Sequence, residues 1–470
     1  MKVILLLLGG DATRAHATLH HAFPDASIEL ISRDALDAGG FRRRLSALRS
    51  LRPDMLAVSM ESLAGQRGQN LLRVFGALAG AKRVAMLDAR GEFKEETRRR
   101  IILKTPKRLV REAARSALAV VGSQRKLRSL EQAVKGIESA CSRQPIGTTP
   151  EILFVRATPG AGTQTGGAST HINGFVTAAL ETGARVRMIA NDRIAGLDEQ
   201  RIALKIIPLQ SVGLTRSSFD LHNNLVFTKG LIAEVTDKPP DLIYQRYSRF
   251  TWAGVEASMI SKRPLFLEYN GSEVWVGKHW DEAGMFPLLE RVERLNLNAA
   301  ALIFVVSEVE RRNLLNAGIP DKKIVVNPNG VDVQRFHPGV GGEQERAKLG
   351  LAPDVILVGF VGTFGPWHGV LELAQAISLL SQEARLRFLF VGDGKLREQT
   401  EGIIQKAGMS DRVIFTGSVE HERVPALLDA CDILVSPHVP LVDGSDFFGS
   451  PTKLFEYMAM ARPVIHRSPP

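Results

Sequence analysis

Short apolar runs, each closed by a loop and followed by an amphipathic stretch, recur along most of the chain. They lie at Lys2 to Leu8, Ser27 to Ile31, Asp54 to Met60 and Arg83 to Asp88, at Ile152 to Arg156, and again at Val355 to Gly362, Phe388 to Val391, Val413 to Phe415, Ile433 to Val435 and Val464 to Ile465. A strand with no polar alternation needs cover on both faces, so this pattern demands parallel sheets with helices on either side. With 470 residues and ~150 per domain, three α/β units fit. The breaks fall at Pro145-Gly147-Pro150 and at Gly339 to Gly342. The expected organisation is an additional Rossmann-like α/β domain over 1–145, a second Rossmann-like domain over 151–338 and a third over 339–470. The last strand is followed only by Arg467-Ser468-Pro469-Pro470. With no helix left to cover it, the third domain is expected to be truncated or frame-shifted.

Charge singles out one segment. Lys plus Arg number 60 against 50 Asp plus Glu, a net +10, which favours an anionic partner. From Lys94 to Arg128 the chain is basic and helix-prone, with Arg98, Arg99, Arg100, Lys104, Lys107, Arg108, Arg111 and Arg115 interleaved with Ile101, Ile102, Leu103, Leu109, Val110 and Leu118. Pro106 is expected to break or start a helix there. Such a segment suits an anionic membrane surface, at about 1 kcal/mol per basic residue; a solvated helical connector explains the same charge. It lacks interleaved aromatics to stack on bases, so nucleic acid is not an expected partner. The longest apolar run near the start, Val3 to Leu8, is too short for a signal segment or a membrane span. The two cysteines, Cys141 and Cys431, have no metal-ligand spacing around them, so neither a disulfide framework nor a metal site is expected. The setting that fits is cytoplasmic, with peripheral attachment to the inner face of the cell membrane through 94–128.

Three loops carry chemistry. After Ile152 to Arg156 comes a loop of small residues running to Gly166-Gly167, with His171 in the helix beyond. Backbone amides there can approach a phosphate, and a helix start adds partial positive charge; a plain tight turn is the alternative. The second loop is Gly362-Thr363-Phe364-Gly365-Pro366-Trp367-His368-Gly369. His368 is placed to donate to a diphosphate, or is merely a capping residue. The third is Ser450-Pro451-Thr452-Lys453-Leu454-Phe455-Glu456. Here Ser450 reads as an N-cap with Pro451 at the first helical position, which leaves the amides of Thr452 and Lys453 for an anion. Glu456, one turn on, can accept hydrogen bonds from paired hydroxyls; a capped helix with a solvated Glu456 is the bland alternative.

Gly166-Gly167 with His171, Ser307-Glu308, Asn327-Pro328-Asn329-Gly330-Val331-Asp332 with Phe336, Gly362 to Gly369, Val391-Gly392-Asp393-Gly394 and Ser450 to Ala459 occur in this order. In that order, over residues 151–470, the chain resembles glycosyltransferase family 4, the retaining family of two-Rossmann GT-B architecture. The resemblance implies a nucleotide diphosphate sugar as co-substrate, a saccharide or lipid-linked acceptor, retention of configuration, no metal or further cofactor, and a role in cell-surface polysaccharide or glycolipid synthesis. It places the donor on Gly166, Gly167, Gly362, Thr363, Gly369, Ser450, Pro451, Thr452 and Glu456, with Lys453 and His368 as catalytic groups. His171 and Glu268 fall on the acceptor side. Asn270 and Glu273, beyond the strand Pro264 to Leu267, join the catalytic set because open α/β sheets place ligands at strand carboxyl ends.

The sequence departs from that pattern. The family's two acidic residues, seven positions between them, are incomplete: Phe448 stands eight positions before Glu456, and Asp446 is the nearest carboxylate. An Arg and Lys after the first donor-domain strand are replaced by Thr363 and His368. These departures leave an alternative, a degenerate and weakly catalytic homologue that binds nucleotide sugar or a partner. An epimerase or phosphorylase on the same architecture is a further alternative.

Overall fold

The apolar runs form three separate sheets in the computed structural model, which describes residues 1–32, 40–89, 91–134, 147–158, 167–280, 284–441 and 443–466. The chain divides into two units, Met1–Thr165 with Phe175–Ile303, and Gly166–Gly174 with Phe304–Pro470.

The first sheet joins β1 (Lys2–Leu7), β2 (Ser27–Ser32), β3 (Met55–Met60), β4 (Arg83–Asp88) and β5 (Phe93–Thr97) in the order β2-β1-β3-β4-β5. All six residues of β3 are buried, as its unbroken apolar run requires. Helices α1 (Ala12–Ala22), α2 (Phe41–Ser50) and α3 (Gln69–Leu78) connect the strands; Asp11 caps α1 by accepting the Arg14 N–H at 2.9 Å. β5 is antiparallel to β4, and it occupies residues that read as helix in the sequence. Its polar stretch Lys94-Glu95-Glu96 is tolerated because it is an edge strand whose carboxylates are matched: Glu95 pairs with Arg83 at 3.1 Å and Glu96 with Arg108 at 2.8 Å.

The rest of the basic segment is one helix, α4 (Arg98–Val134), with Pro106 inside it. The expected break at Pro106 does not occur, because α4 is anchored on both sides of it. Ile101 packs with Ala77 and Val84, while Leu127 and Leu130 enter the core of the second sheet. Lys126 to Glu256 (2.5 Å) and Arg291 to Glu131 (2.7 Å) add ion pairs. Tertiary packing here outweighs the ~3 kcal/mol that an interior proline costs a helix.

The second sheet runs β12-β11-β10-β9-β6-β7-β8. Its strands are β6 (Glu151–Arg156), β7 (Arg185–Ala190), β8 (Ala203–Ile206), β9 (Leu242–Arg246), β10 (Leu265–Tyr269), β11 (Leu302–Val305) and β12 (Ile324–Val326). Six helices accompany them: α5 (Gly167–Glu181), α6 (Arg216–Asp237), α7 (Ala253–Ser261), α8 (Glu273–His279), α9 (Phe286–Ala299) and α10 (Glu308–Asn316). Thr215 and Ser218 form a reciprocal capping box at the start of α6.

The third sheet is entirely parallel, β15-β14-β13-β16-β17, from β13 (Ile356–Val361), β14 (Leu386–Val391), β15 (Val413–Gly417), β16 (Ile433–Ser436) and β17 (Val464–His466). Its helices are α11 (Gly342–Lys348), α12 (Val370–Ser378), α13 (Arg397–Lys406), α14 (Val424–Asp429) and α15 (Thr452–Ala459). One face is packed around Leu357, Leu434 and Tyr457, the other around Phe360, Phe364 and Phe390. The chain leaves β13 first toward β14 and later returns to β16, so the strand order reverses between β13 and β16. Open α/β sheets bind ligands at the carboxyl ends of such a pair. Cys431 is a free, buried thiol, pushed up to about 12 by burial; Cys141 lies outside the described residues.

Candidate active site

At the carboxyl edge of β13 and β16 the backbone has no room for side chains. Gly362 has φ +151°, and a Cβ on Gly392 would stand 2.1 Å from its carbonyl oxygen. Gly369, at φ +65°, would place a Cβ 2.1 Å from the Pro437 carbonyl oxygen. These close approaches draw three loops onto one another, and the left-handed φ of Gly369 ends the 3-10 turn Pro366–His368 so that α12 can begin. The turn holds His368 over the sheet edge.

Lys453 reaches that edge from α15. Its Nζ lies 3.2 Å from His368 Nδ1 and 4.2 Å from the centre of the Phe360 ring. A Cβ on Gly362 would meet the same Nζ at 2.7 Å, so glycine there makes the space the amine occupies. Glu456 is three residues further on and therefore on the same helix face; both side chains are buried, each 8% exposed. Burial pulls Lys453 down to about 7 against the opposing pull of Glu456. Burial also pushes Glu456 up to about 7, against Lys453 and Arg335. Around neutral pH this pair is poised between charged and neutral forms.

Two histidines complete the wall. Burial, with Lys453 and His438 adding like charge, lowers His368 to about 2. His438 follows β16, is lowered to about 4 by burial, Lys453 and His466, and its Nδ1 lies 3.0 Å from Ser436 Oγ. Both imidazoles are neutral at pH 7. When the Lys453 amine is protonated it has only donors to offer, so Nδ1 of His368 then accepts and the ring proton belongs on Nε2. Tyr457 OH accepts the Val361 N–H at 2.8 Å, which fixes α15 against β13.

Ser450 behaves differently from its sequence reading. Pro451 is the N-cap of α15, with no side-chain cap, and the helix begins at Thr452. Ser450 instead serves Asn329: its Oγ accepts the Asn329 N–H at 3.1 Å, and its carbonyl accepts Asn329 Nδ2 at 2.6 Å. Proline's fixed φ suits the entry to a helix as well as its first turn, which explains the shift by one residue. The first-turn amides of Thr452 and Lys453 are still left without a capping side chain. Phe448 is buried and its carbonyl accepts from Ser307 Oγ at 2.6 Å. Asp446 pairs with Arg312 at 3.5 Å on an exposed surface, so that carboxylate does not join Glu456.

In the other unit, the carboxyl end of β10 carries Glu268, 2% exposed, ion-paired with Arg246 and accepting Asn270 Nδ2 at 2.8 Å. Glu268 also contributes, after burial, to raising the Tyr244 phenol well above its ordinary value. Glu273 opens α8, and its N–H is taken by Glu293 Oε2 at 2.8 Å. Burial raises Glu293 against hydrogen bonds from Ser272, Tyr269 and the amides of Glu273 and Val274. His171 lies on α5, half-buried, and Gly167 opens that helix; both belong to the unit that carries Lys453. Gly166 lies outside the described residues. Thus Glu268 and Asn270 converge, as do Lys453, His368, Gly362, Gly369 and Glu456. Sequence reasoning missed Arg246, Glu293 and His438, and quoted Asn329 within a motif without giving it a role. His438 and Arg246 both stand at strand carboxyl ends, a positional signal that was available; Glu293 acts from a distant segment, where none was, and the bonding of Asn329 to Ser450 could not be read from its motif. No group of three His, Cys, Asp or Glu able to hold a metal ion occurs among the described residues.

Residues 165–335 match the family described as Glycosyltransferase Family 4, and residues 355–468 match Glycosyl transferases group 1. The chain carries glycosyltransferase domains of GT-B type. A 2-deoxystreptamine glucosyltransferase from Streptomyces kanamyceticus is 35% identical over 158 residues, 33% of this chain and 41% of the relative. A GDP-mannose-dependent alpha-(1-6)-phosphatidylinositol monomannoside mannosyltransferase from Mycobacterium tuberculosis is 26% identical over 230 residues, 48% of this chain and 59% of the relative. These alignments span about half the length of the relatives. Among solved structures, HepE of Anabaena in complex with UDP and glucose superposes with a TM-score of 0.52 at 20% identity, covering 67% of this chain and 80% of that one, which speaks to fold. Both family matches begin beyond the first sheet.

Proposed function

We propose that this glycosyltransferase chain moves a sugar from a nucleotide diphosphate sugar to a saccharide or lipid-linked acceptor, with retention of configuration, in cell-surface polysaccharide or glycolipid synthesis. The observation that carries this reading is the buried Lys453–Glu456 pair beside His368 at the reversal point of the third sheet. A relative named for a GDP-mannose donor, and a similar fold seen in complex with UDP and glucose, support a nucleotide-sugar donor.

In the proposed reaction Glu456 accepts hydroxyl hydrogens of the donor ribose. Lys453 and the Thr452 and Lys453 amides face the diphosphate, in the place a divalent cation would otherwise take. Charge on that diphosphate grows as the sugar leaves, so an amine that is only partly protonated in the free protein gains its proton as the anion builds, and the gain is largest in the transition state. Neutral His368 holds the amine in place through Nδ1. Glu268, held by Arg246, and Asn270 and Glu273 supply acceptors and donors for sugar hydroxyls, with His171 on the acceptor side.

Attachment to an anionic membrane surface is part of the proposal. On one face of α4, Leu103, Val110 and Leu118 are 72%, 71% and 71% exposed, and Arg99, Lys107, Arg125 and Arg128 flank them on the same exposed side. A helix that presents apolar and cationic groups together suits the lipid interface. No helix among the described residues is long and apolar enough to cross a membrane.

The test is release of nucleoside diphosphate from a panel of nucleotide sugars and glycolipid acceptors, with and without EDTA, and NMR assignment of the product anomer. Release that depends on acceptor, survives EDTA and gives the donor's anomeric configuration is expected. An inverted product or abolition by EDTA would overturn the corresponding part.

A further inference from the structure

Between α3, α4 and the loop ahead of α6 lies a cavity of about 280 Å³ walled by Arg73, Arg108, Arg111, Arg115, Asn70 and Ser211, among others. Arg108, Arg111 and Arg115 recur at the i, i+3, i+7 spacing that puts side chains on one helix face. Two of the four arginines are occupied. Arg108 grips Glu96 through two hydrogen bonds of 2.8 Å, and Arg73 Nε lies 3.8 Å from the same carboxylate. Glu112, also in the wall, accepts from Asn70 Nδ2 at 2.9 Å. Arg111 and Arg115 have no hydrogen-bond or ion-pair partner among the described residues. Four guanidiniums therefore face two carboxylates, Glu96 and Glu112, and two positive charges stand uncompensated.

Arg111 and Arg115 are exposed, yet they do not spread over a convex face: with Arg73 and Arg108 they line one hollow. Burial, and then the neighbouring Arg108, depress Arg73 against the pull of Glu96. The opposite wall is held in place: Leu214 N–H donates to Ser116 Oγ at 3.1 Å, and Gly213, at φ +147°, runs so close to α6 that a Cβ would meet the Phe219 backbone at 2.5 Å. The volume is at the small end of ligand pockets, ~300–1,000 Å³. A phosphate monoester, with about −1.5 to −2 charge at pH 7, matches the two uncompensated charges, and the guanidinium fork matches phosphate oxygens two at a time.

We propose that this cavity binds a small phosphate monoester, its oxygens taken by Arg111 and Arg115 and its polar remainder meeting Ser211. The cavity shares no residue with the donor site at Lys453, and its ligand is either a soluble sugar phosphate or the headgroup of a phosphomonoester lipid; the two present the same chemistry.

The test is calorimetric titration of the full chain with glucose 6-phosphate and with inorganic phosphate, and co-sedimentation with vesicles of phosphatidic acid against vesicles of phosphatidylglycerol, a diester. Binding to a soluble monoester identifies the free ligand; preference for phosphatidic acid over phosphatidylglycerol identifies the lipid. In either case Arg111→Gln with Arg115→Gln is expected to weaken binding roughly ten-fold or more per guanidinium, ~1.4 kcal/mol each. Ser211→Glu, which adds a carboxylate and removes no arginine, is expected to do likewise, and Lys453→Met to leave binding unchanged. Failure of all four probes, full affinity in the double arginine variant or in Ser211→Glu, or loss that follows Lys453→Met would overturn the proposal.

Discussion

Replacing Lys453 by methionine should make the protein more stable and less active. Burial lowers this amine from 10.5 to about 7, whereas in the unfolded chain it keeps its ordinary value. Between pH 7 and 10.5 the unfolded state therefore binds the extra proton, and stability rises with pH through that window. At pH 7 the folded site carries a cost of about 3.5 pKa units, at ~1.36 kcal/mol each, hence at most ~4–5 kcal/mol. The effect on Glu456 is small. Its carboxyl stands at about 7 and is already half protonated at that pH, so loss of the cation costs at most ~0.4 kcal/mol, or RT ln 2. Coupling between the two groups and relaxation around them reduce the ceiling, leaving a gain of ~1–3 kcal/mol for Lys453→Met. Calorimetry at pH 7 should show the transition of the unit containing residues 304–470 rising ~2–4 °C for each kcal/mol. The gain should shrink by about half toward pH 9, where the wild-type amine is neutral in the folded state, and vanish near pH 10.5, where the unfolded amine also loses its proton. Turnover should fall ~10²–10³-fold, as for removal of a fixed donor to developing charge. A lower transition temperature at pH 7, or a gain that does not shrink at higher pH, would refute the idea that Lys453 is held against its own solvation.

Glu456 works in the opposite direction: raised from 4.5 to about 7, it binds a proton in the folded state that the unfolded chain lacks, so stability falls from pH 4.5 to 7. Stability of this unit should thus dip near pH 7, and the double variant Lys453→Met, Glu456→Gln should flatten the dip in a pH series of melting curves. Glu456→Ala alone should weaken donor binding about ten-fold or more with the fold intact, read by titration with nucleoside diphosphate; unchanged affinity would remove Glu456 from the site. Gly369→Ala should cost over ~3 kcal/mol, because its Cβ would collide with the Pro437 carbonyl at a left-handed φ; near-wild-type stability in urea would contradict the packing at the sheet edge. Arg246→Met should destabilise by ~3–5 kcal/mol by stranding buried Glu268, and adding Glu268→Gln should restore most of the loss.

The sequence made the four parallel strands of the first sheet legible to within a residue, because runs such as Met55–Met60 are buried throughout and so read as continuous apolar segments. β5 was hidden. Lys94, Glu95 and Glu96 carry no apolar signal, and their strand depends on pairing with β4 and with arginines elsewhere. Pro106 misled for a related reason: local propensity says break, while anchors at Ile101, Leu127 and Leu130 hold one helix. At the candidate site, Lys453, Glu456 and His368 were visible because they stand in short motifs, His368 in the loop after β13 and the other two in the first turns of α15. The choice between Ser450 and Pro451 as cap was decided by Asn329, more than a hundred positions away, and spacing along one loop cannot reveal that. His438 carried a signal in its place after β16.

The proposed donor site is tested most directly by thermal stabilisation of the purified chain against nucleoside diphosphates and nucleotide sugars of each base, run beside Glu456→Ala. A ligand at 100 times its dissociation constant adds ~2.7 kcal/mol to the folded state. A shift selective for one base, and lost in Glu456→Ala, is the predicted result. No shift with any of them, from a chain shown to be folded, or a shift that Glu456→Ala leaves intact, would contradict a nucleotide-sugar site built on Lys453 and Glu456.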